Sequence, residues 1–280
     1  MPRRLMKIRK TLSLRSRRID FMADMTDPTA RINNGAAVAL APEERIDALL
    51  DGRLRIIQHQ DALRFSLDSI LLADYVTLKV GDQVADLGTG GGVIPLLLVG
   101  KRGAAYAAGF EIQEFVADMA RRSVILNGLE DRIAIFNRDF RQIPQELWNT
   151  FNVVVSNPPY LKPAEGRFNP KKAVSIAKYE LECTLEDVLQ AAARLLKPKG
   201  RAAFVYRPWR LPELLAGMTR FHLHPKRLRM VYSCADEEAA LVLVEGQFQG
   251  RPGLAVNRPL IVRTPSGDYT SEMKGIYGRE

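Results

Sequence analysis

The chain has 280 residues, of which 46% are hydrophobic, and this size suits one large domain with a substantial core. No stretch of about 18 apolar residues is free of charge, so we expect no membrane-spanning helix. The two cysteines and three histidines are scattered along the chain, so their spacing predicts no metal centre, and such thiols are typical of a protein in a reducing cytoplasm.

The net charge of +9 by itself favours a nucleic-acid partner. Residues 1–21 contain eight basic residues and one acid, whereas the rest of the chain has 33 basic and 31 acidic residues. Most of the excess charge therefore belongs to a basic head, and we expect residues 1–41 to be disordered. The composition changes so abruptly that a start codon placed too early is an equal alternative, with Met22 or Met25 as the true start. We expect residues 42–280 to form a single domain.

The first elements after the head are short. Residues 43–50 are a helix candidate, and residues 53–58 alternate in polarity as a strand does. Ser66 is placed to cap a helix over residues 67–76, in which apolar side chains recur at helical spacing.

From residue 83 onward, short apolar strands alternate with helices. Strands are predicted over residues 84–87, 104–110, 133–136, 151–155, 202–206, 225–231 and 240–245, and helices over residues 93–99, 114–126, 185–196 and 211–218, with residues 197–200 closing the third helix. This order predicts an α/β fold with a mostly parallel seven-stranded sheet and helices on both faces. The last two strands have no helix between them, which indicates an antiparallel hairpin at one edge.

A glycine-rich loop, Asp-Leu-Gly-Thr-Gly-Gly-Gly at residues 86–92, follows the first of these strands. Ligands of open α/β sheets bind beyond the carboxyl ends of the strands, and glycines let the backbone approach a ligand closely. Gly88, Gly90 and Gly92 differ from a dinucleotide fingerprint, because a valine stands where its third glycine belongs. The negative charge of Asp86 beside this loop disfavours binding of a pyrophosphate and favours a cation or a ligand amine.

Two further acids follow the next two strands. Glu111 lies about 20 residues beyond the loop, where an acid can hydrogen-bond two ribose hydroxyls. Asp139 can accept a hydrogen bond from an adenine amino group. An adenosyl ligand with an amino-acid group and no phosphate fits this set, although a solvated strand end and an exposed loop acid are the plain alternatives.

The segment Asn157-Pro158-Pro159-Tyr160 follows the fourth strand. Two successive prolines fix the backbone and remove two N–H donors. The Asn157 side-chain oxygen and the Pro158 carbonyl can then both accept hydrogen bonds from one –NH₂ group, and Tyr160 offers a flat face for stacking. This arrangement predicts chemistry at a planar amino or amide nitrogen, stabilised by acceptors aimed at the transition state.

Residues 86–92 and 157–160 together resemble the class I methyltransferases, in the branch that methylates adenine N6, guanine N2 or a glutamine amide. Further segments, residues 65–73, 166–170, 225–229, 237–240 and 269–270, are similar to the bacterial tRNA1(Val) (adenine(37)-N6)-methyltransferase family. The likeness spans residues 43–275, and the basic head departs from it.

The resemblance implies a Rossmann-like fold, S-adenosylmethionine as cofactor, and methyl transfer to N6 of adenine 37 in the anticodon loop of a valine tRNA. Cofactor binding is then expected of Asp86, Gly88, Gly90, Gly92, Glu111, Asp139 and Asn157, and catalysis of Asn157, Pro158, Pro159 and Tyr160. Phosphate contacts are expected of two basic clusters, for which solvated surface charge is an even alternative. The clusters are Arg167, Lys171 and Lys172 on a lid, and Lys226, Arg227 and Arg229.

Three other functions remain open at this stage. A protein glutamine-N5 methyltransferase of release factors uses the same four-residue motif, but such enzymes usually carry a helical domain before the cofactor domain. A ribosomal RNA guanine-N2 methyltransferase is the second alternative. A non-catalytic RNA-binding module is the third, and the intact glycine loop and Asn157 argue against it.

Overall fold

The computed structural model describes residues 38–59, 66–158 and 183–278. Its strands are β1 (Glu44–Leu49), β2 (Leu54–His59), β3 (Gln83–Leu87), β4 (Tyr106–Glu111), β5 (Ile133–Asn137), β6 (Phe151–Ser156), β7 (Leu196–Tyr206), β8 (Leu223–Tyr232), β9 (Ala239–Phe248), β10 (Ala255–Val256) and β11 (Leu260–Ile261). Its helices are α1 (Leu67–Tyr75), α2 (Val93–Gly100), α3 (Glu114–Leu126), α4 (Leu185–Leu195), α5 (Leu211–Arg220) and α6 (Ser271–Tyr277). Every strand and helix predicted from residue 83 onward is present.

The main sheet has the strand order β8-β9-β7-β6-β3-β4-β5, with the short β10 and β11 paired to the outer edge of β8. The strands from β3 to β7 pair in parallel, whereas β9 is antiparallel to both β7 and β8. The predicted sheet and its antiparallel hairpin are therefore confirmed. The direction of winding reverses between β6 and β3, which is where ligands bind in open α/β sheets.

The sheet divides the hydrophobic core in two. Val153 and Val155 of β6 face one cluster with α1, α2 and α3, while Val154 between them faces the other cluster with α4 and α5. A strand buried on both faces needs a continuous apolar run, which is why β6 lacks the alternation of a half-exposed strand.

The helix expected over residues 43–50 is wrong, because this segment forms β1. It pairs antiparallel with β2 along its whole length, from Glu44 opposite His59 to Leu49 opposite Leu54. The turn between the strands contains Gly52 at φ 87°, a conformation open to glycine at little cost. The Asp51-Gly52 dipeptide is a hairpin signal that outweighs the helical spacing of this segment.

Residues 197–200, expected to close the third predicted helix, instead lie within β7, which begins at Leu196. The register with β6 shifts there, from Phe151 opposite Leu196 to Val153 opposite Arg201. Lys199 takes a positive φ of 63°, so the extra residues form a bulge within the strand.

The β1–β2 hairpin is tied to α3 by hydrogen bonds from its outer edge. Ser123 Oγ accepts from the Ile57 N–H at 2.9 Å and donates to the Met119 carbonyl. Asn127 accepts from the Arg55 N–H and donates back to the Arg55 carbonyl. These side chains cover backbone groups that a strand edge would otherwise leave unpaired.

Ser123→Ala removes the acceptor of the buried Ile57 N–H. We expect it to lower the free energy of unfolding by about 1–3 kcal/mol, the cost of leaving a buried donor unsatisfied. Thr219→Ala is the matched control, because its exposed hydroxyl donates to a helix carbonyl on α5. Equal losses in urea denaturation of the two variants would contradict the assigned role of Ser123.

Candidate active site

The carboxyl ends of β3, β4 and β6 lie side by side and bring the predicted residues together. β3 pairs with β4 and with β6, so Asp86 has Gly109 on one side and Val155 on the other. Glu111 ends β4, and Asn157 follows β6 directly. The glycine loop therefore lies between the expected ribose-binding acid and the expected acceptor-binding amide.

Asp86 is almost fully buried, with 1% of its surface exposed. The Thr89 hydroxyl donates to Oδ2 at 2.7 Å, while Oδ1 has no hydrogen-bond partner among the described residues. Burial raises the pKa of Asp86 to about 7; the Glu111 charge adds to this and the Thr89 hydrogen bond opposes it. A buried polar atom without a partner is costly, so Oδ1 is suited to accept from a ligand.

The glycine loop adopts conformations that side chains disfavour. Gly88, Gly90 and Gly92 have φ values of 73°, 55° and 84°. The N–H groups of Gly88 and Thr89 both donate to the Phe110 carbonyl at 3.0 Å, which holds the loop against β4. A Cβ on Gly92 would lie 3.3 Å from the Ala120 Cβ, so α2 and α3 meet closely at this glycine.

Glu111 joins the loop to the end of β4. Its carboxylate accepts from the Gly90 N–H at 3.0 Å and from the Gln113 N–H at 2.9 Å, one bond to each oxygen. Burial raises the pKa of Glu111, and these backbone hydrogen bonds oppose the rise. Each carboxylate oxygen has a second lone pair, which leaves acceptor capacity for a pair of ligand hydroxyls.

Asp139 lies beyond β5, on the far side of β4, and is engaged with Arg141. The Arg141 guanidinium donates to both carboxylate oxygens, with Nε–Oδ2 at 2.9 Å, and the Arg141 N–H donates to Oδ1 at 2.8 Å. Burial opposes ionisation, but these bonds outweigh it and lower the pKa of Asp139. Asp139 is thus a fixed carboxylate, and its contact with an adenine ring stays a prediction.

Asn157 is held from α1. Its Nδ2 donates to the Ser69 hydroxyl at 3.0 Å, and Pro158 beside it is buried. Because the amide is planar, an engaged nitrogen places the oxygen on the opposite side of the group. Pro159 and Tyr160 lie outside the described residues, as do the lid residues Arg167, Lys171 and Lys172.

Sequence reasoning missed two residues that shape this site. Ser69 belongs to the predicted helix, but nothing in its spacing pointed to Asn157. Gly109 lies in β4, where a Cβ would come within 2.8 Å of the Thr89 hydroxyl. Only glycine therefore admits the Thr89 side chain that binds Asp86, and a glycine inside a strand is the signal that could have revealed this close approach.

The second basic cluster lies on β8, and its side chains contact other residues of the protein. Arg227 donates to the buried Glu245, to the Thr77 hydroxyl and to the Tyr75 carbonyl, and its guanidinium lies 4.4 Å from the centre of the Tyr75 ring. Arg229 pairs with Glu272 at 2.8 Å. Lys226 donates to the backbone carbonyl of Arg251. Arg227 and Arg229 are thus engaged with other residues of the protein, and their contact with phosphates stays a prediction.

The donor and acceptor set fits an adenosyl ligand with an amino-acid group. Asp86 Oδ1 is an unused acceptor for an amine, Glu111 can accept from hydroxyls, and the glycine loop leaves its backbone open to close approach. Among residues 38–59, 66–158 and 183–278, no group of His, Cys, Asp and Glu could hold a metal ion. No helix in the same residues is both long and apolar enough to span a membrane.

Comparison with protein families matches residues 64–218 to the family described as "Methyltransferase small domain". The chain is 29% identical over 233 residues to a protein of Porphyromonas gingivalis named tRNA1(Val) (adenine(37)-N6)-methyltransferase, covering 79% of this chain and 89% of the relative. A protein of Bacteroides thetaiotaomicron with the same name is 26% identical over 218 residues, covering 77% of this chain and 89% of the relative.

Solved structures share the fold. A predicted O-methyltransferase from Agrobacterium tumefaciens superposes with a TM-score of 0.61 at 22% identity, covering 76% of this chain and 97% of that one. The structure of P. horikoshii TYW2 in complex with MeSAdo superposes with a TM-score of 0.53 at 15% identity, covering 76% of this chain and 74% of that one. The fold expected from the sequence, that of the class I methyltransferases, is confirmed.

The raised pKa of Asp86 makes the stability of the ligand-free protein depend on pH. A carboxyl with a raised folded-state pKa stabilises the fold fully below the unfolded-state pKa of about 4, and this stabilisation is lost as pH rises through about 7. Asp86→Asn removes the titration. We expect the free energy of unfolding of the wild type to fall by roughly 2–3 kcal/mol relative to this variant between pH 5 and pH 8.

The measurement is urea denaturation of ligand-free protein across this pH range. Asp131→Asn, which alters an exposed acid beyond α3, is the control and should follow the wild type. If the free energy of unfolding changed with pH in the same way for Asp86→Asn and the wild type, the raised pKa assigned to Asp86 would be contradicted.

Proposed function

The chain belongs to the methyltransferase small domain family, and from that premise we propose that it transfers a methyl group from S-adenosylmethionine to the exocyclic N6 of an adenine in tRNA. One observation carries the proposal: the Asn157 amide, held by Ser69, stands at the end of β6 beside a loop with an unused buried acceptor. This geometry supports an amine-binding role for Asn157 next to a site suited to an adenosyl ligand.

When bound, S-adenosylmethionine supplies an electrophilic methyl group on its sulfonium. Asp86 and the glycine loop would hold its amino-acid part, Glu111 its ribose hydroxyls, and Asp139 its adenine amino group. The Thr89 hydroxyl and the Gly90 N–H fix the two buried carboxylates in place. This arrangement is preorganised, because the carboxylates do not have to move to meet the ligand.

Asn157 acts on the methyl acceptor. The lone pair of an adenine amino group is delocalised into the ring, so the nitrogen is a weak nucleophile. Hydrogen bonds from that –NH₂ to the Asn157 oxygen and to the Pro158 carbonyl increase the negative charge on nitrogen and stabilise the positive charge that develops on methylation. The product nitrogen then releases a proton to solvent, so the reaction needs no strong general base.

The specific methyl acceptor that we propose is an adenine in the anticodon loop, at position 37 of a valine tRNA. The names of the relatives from Porphyromonas gingivalis and Bacteroides thetaiotaomicron support this choice. A loop base can be unstacked and extruded at modest cost, as an enzyme that acts on a base edge requires. Tyr160 is proposed to stack on it.

The function is tested by tritiated methyl transfer to tRNA, ribosomal RNA and release factor in parallel, with mass spectrometry of the labelled nucleosides. The wild type should label tRNA as N6-methyladenosine. Asn157→Ala should lose about 10²- to 10³-fold in rate, as loss of one preorganised hydrogen-bonding group typically costs, yet keep its affinity for S-adenosylmethionine. Label in a glutamine amide or in guanine, or unchanged turnover in the variant, would overturn the proposal.

Ser69 is proposed as the residue that positions the Asn157 amide. Ser69→Ala should lower kcat about ten-fold, the scale of one hydrogen bond, without changing KM for RNA, and Ser69→Thr should recover part of the rate. Ser66→Ala is the matched control, because the Ser66 hydroxyl at the start of the same helix makes no capping hydrogen bond. A purely structural role for Ser69 predicts a loss of thermal stability with kcat unchanged.

A further inference from the structure

An exposed tryptophan follows the strand next to Asn157. Trp209 lies three residues after the end of β7, and 55% of its surface is exposed. The neighbouring strand β6 ends at Ser156, and Ser156 is the register partner of Phe204 in β7. Asn157 and Trp209 therefore leave the sheet at the same edge, from adjacent parallel strands.

The exposed ring is backed by a buried guanidinium. The Arg210 guanidinium carbon lies 5.8 Å from the centre of the Trp209 ring and 4.9 Å from the centre of the buried Tyr206 ring. Glu213 accepts two hydrogen bonds from Arg210, at 3.0 and 2.8 Å. Tyr206, Arg210 and Trp209, here called the Trp209 platform, thus form a layered contact in which one aromatic surface stays open to solvent.

The separation from Asn157 suits a nucleotide. Adjacent strands lie about 5 Å apart, and Trp209 lies in a short 3-10 helix after β7 with a rise of about 2 Å per residue, so its ring stands on the order of 10 Å from Asn157. That distance reaches a base next to one held at Asn157, in a loop whose bases are splayed apart.

The charges around the platform limit where a phosphate backbone can run. Arg207 lies between β7 and the platform and donates to the Ala240 carbonyl. The exposed acids Asp236, Glu237 and Glu238 lie at the same edge, in the turn between β8 and β9. They repel phosphates from the outer side of Trp209, which leaves the side toward Asn157 for RNA.

The other exposed large aromatic side chain of the described residues, Phe115, is placed differently. It lies in the first turn of α3, beyond β4, on the side of the glycine loop away from β6. Its ring meets His59 edge-on, with the centroids 5.2 Å apart. Phe115 therefore belongs to the cofactor side of the site, and Trp209 to the acceptor side.

Resting on the proposed function, we propose that the Trp209 platform stacks an unpaired RNA base adjacent to the adenine that is methylated. Stacking on an aromatic face is tolerant of base identity, because every base has a π-face. The platform thus supplies affinity for single-stranded RNA and sets its path past Asn157, while Asn157 and Pro158 select the amino group.

The chain provides its own optical test, since it contains two tryptophans. Trp148 precedes β6, at the opposite edge of the sheet, where the Arg194 guanidinium lies 5.3 Å from its ring centre. Trp148→Phe leaves Trp209 as the reporter, and Trp209→Phe leaves Trp148. Both are titrated with an anticodon stem-loop oligoribonucleotide carrying adenine at position 37. We expect quenching of fluorescence in Trp148→Phe and none in Trp209→Phe.

Affinity and turnover give the second readout. Trp209→Ala should weaken binding of the same oligoribonucleotide and raise its KM about ten-fold, with kcat, S-adenosylmethionine affinity and the melting temperature unchanged. Trp209→Phe keeps a stacking face and should stay within about three-fold of the wild type. Trp148→Phe should match the wild type in both assays.

Two results would overturn the platform: quenching that persists in Trp209→Phe and vanishes in Trp148→Phe, or unchanged RNA affinity in Trp209→Ala. Failure of the proposed function is distinguishable, because it appears as a wild type that methylates no tRNA adenine. Wild-type methylation of tRNA together with either overturning result leaves the proposed function standing and removes only the role of Trp209.

Discussion

Two buried carboxylates at adjacent strand ends set the requirements for the rest of the site. Asp86 and Glu111 are each at least nine-tenths buried, and burial favours their neutral forms. The surrounding residues therefore have to supply donors, which they do through the Thr89 side-chain hydroxyl and the Gly90 backbone N–H. Those donors reach the acids only because the loop has positive φ angles and because Gly109 leaves room for Thr89. Asp86 Oδ1 is the one carboxylate oxygen of this network with no hydrogen bond among the described residues, while the Glu111 oxygens each keep a second lone pair for a ligand.

The reversal of the sheet between β3 and β6 separates the two tasks of the site. The glycine loop, Asp86 and Glu111 lie at the ends of β3 and β4, and in the proposed function they make up the cofactor half. Asn157 follows β6, and its amide donates a hydrogen bond to Ser69 on α1, a helix that lies before β3 in the chain. The two parts of the site meet at the β3–β6 pair, where Ser156 Oγ donates to the Leu87 carbonyl at 2.7 Å.

Most of the fold followed from periodicity, because parallel strands buried on both faces give apolar runs such as Val153-Val154-Val155. The predicted strand ends put Asp86, Glu111 and Asn157 at one edge of the sheet, which is where they lie in the structure. The predictions for two segments were wrong because tertiary contacts decide their structure. The β1 segment becomes a strand by pairing with β2, and the bulge near Lys199 depends on the register with β6. The Ser69–Asn157 contact joins residues 88 apart in sequence, so no local pattern predicts it. The Asp139–Arg141 pair is local, two residues apart, but the sequence does not show whether this acid pairs with its neighbour or with solvent.

The covering of β2 by α3 has a consequence for how the chain acquires its structure. The hydrogen bonds from Ile57 to Ser123 and from Arg55 to Asn127 close loops of 66 and 72 residues. At a synthesis rate of about 5–20 residues per second, the nascent hairpin waits several seconds before its partner helix is made. During that interval its outer edge is open to pairing with other extended segments. Docking of the hairpin is thus a non-local step that cannot be completed before α3 has been synthesised.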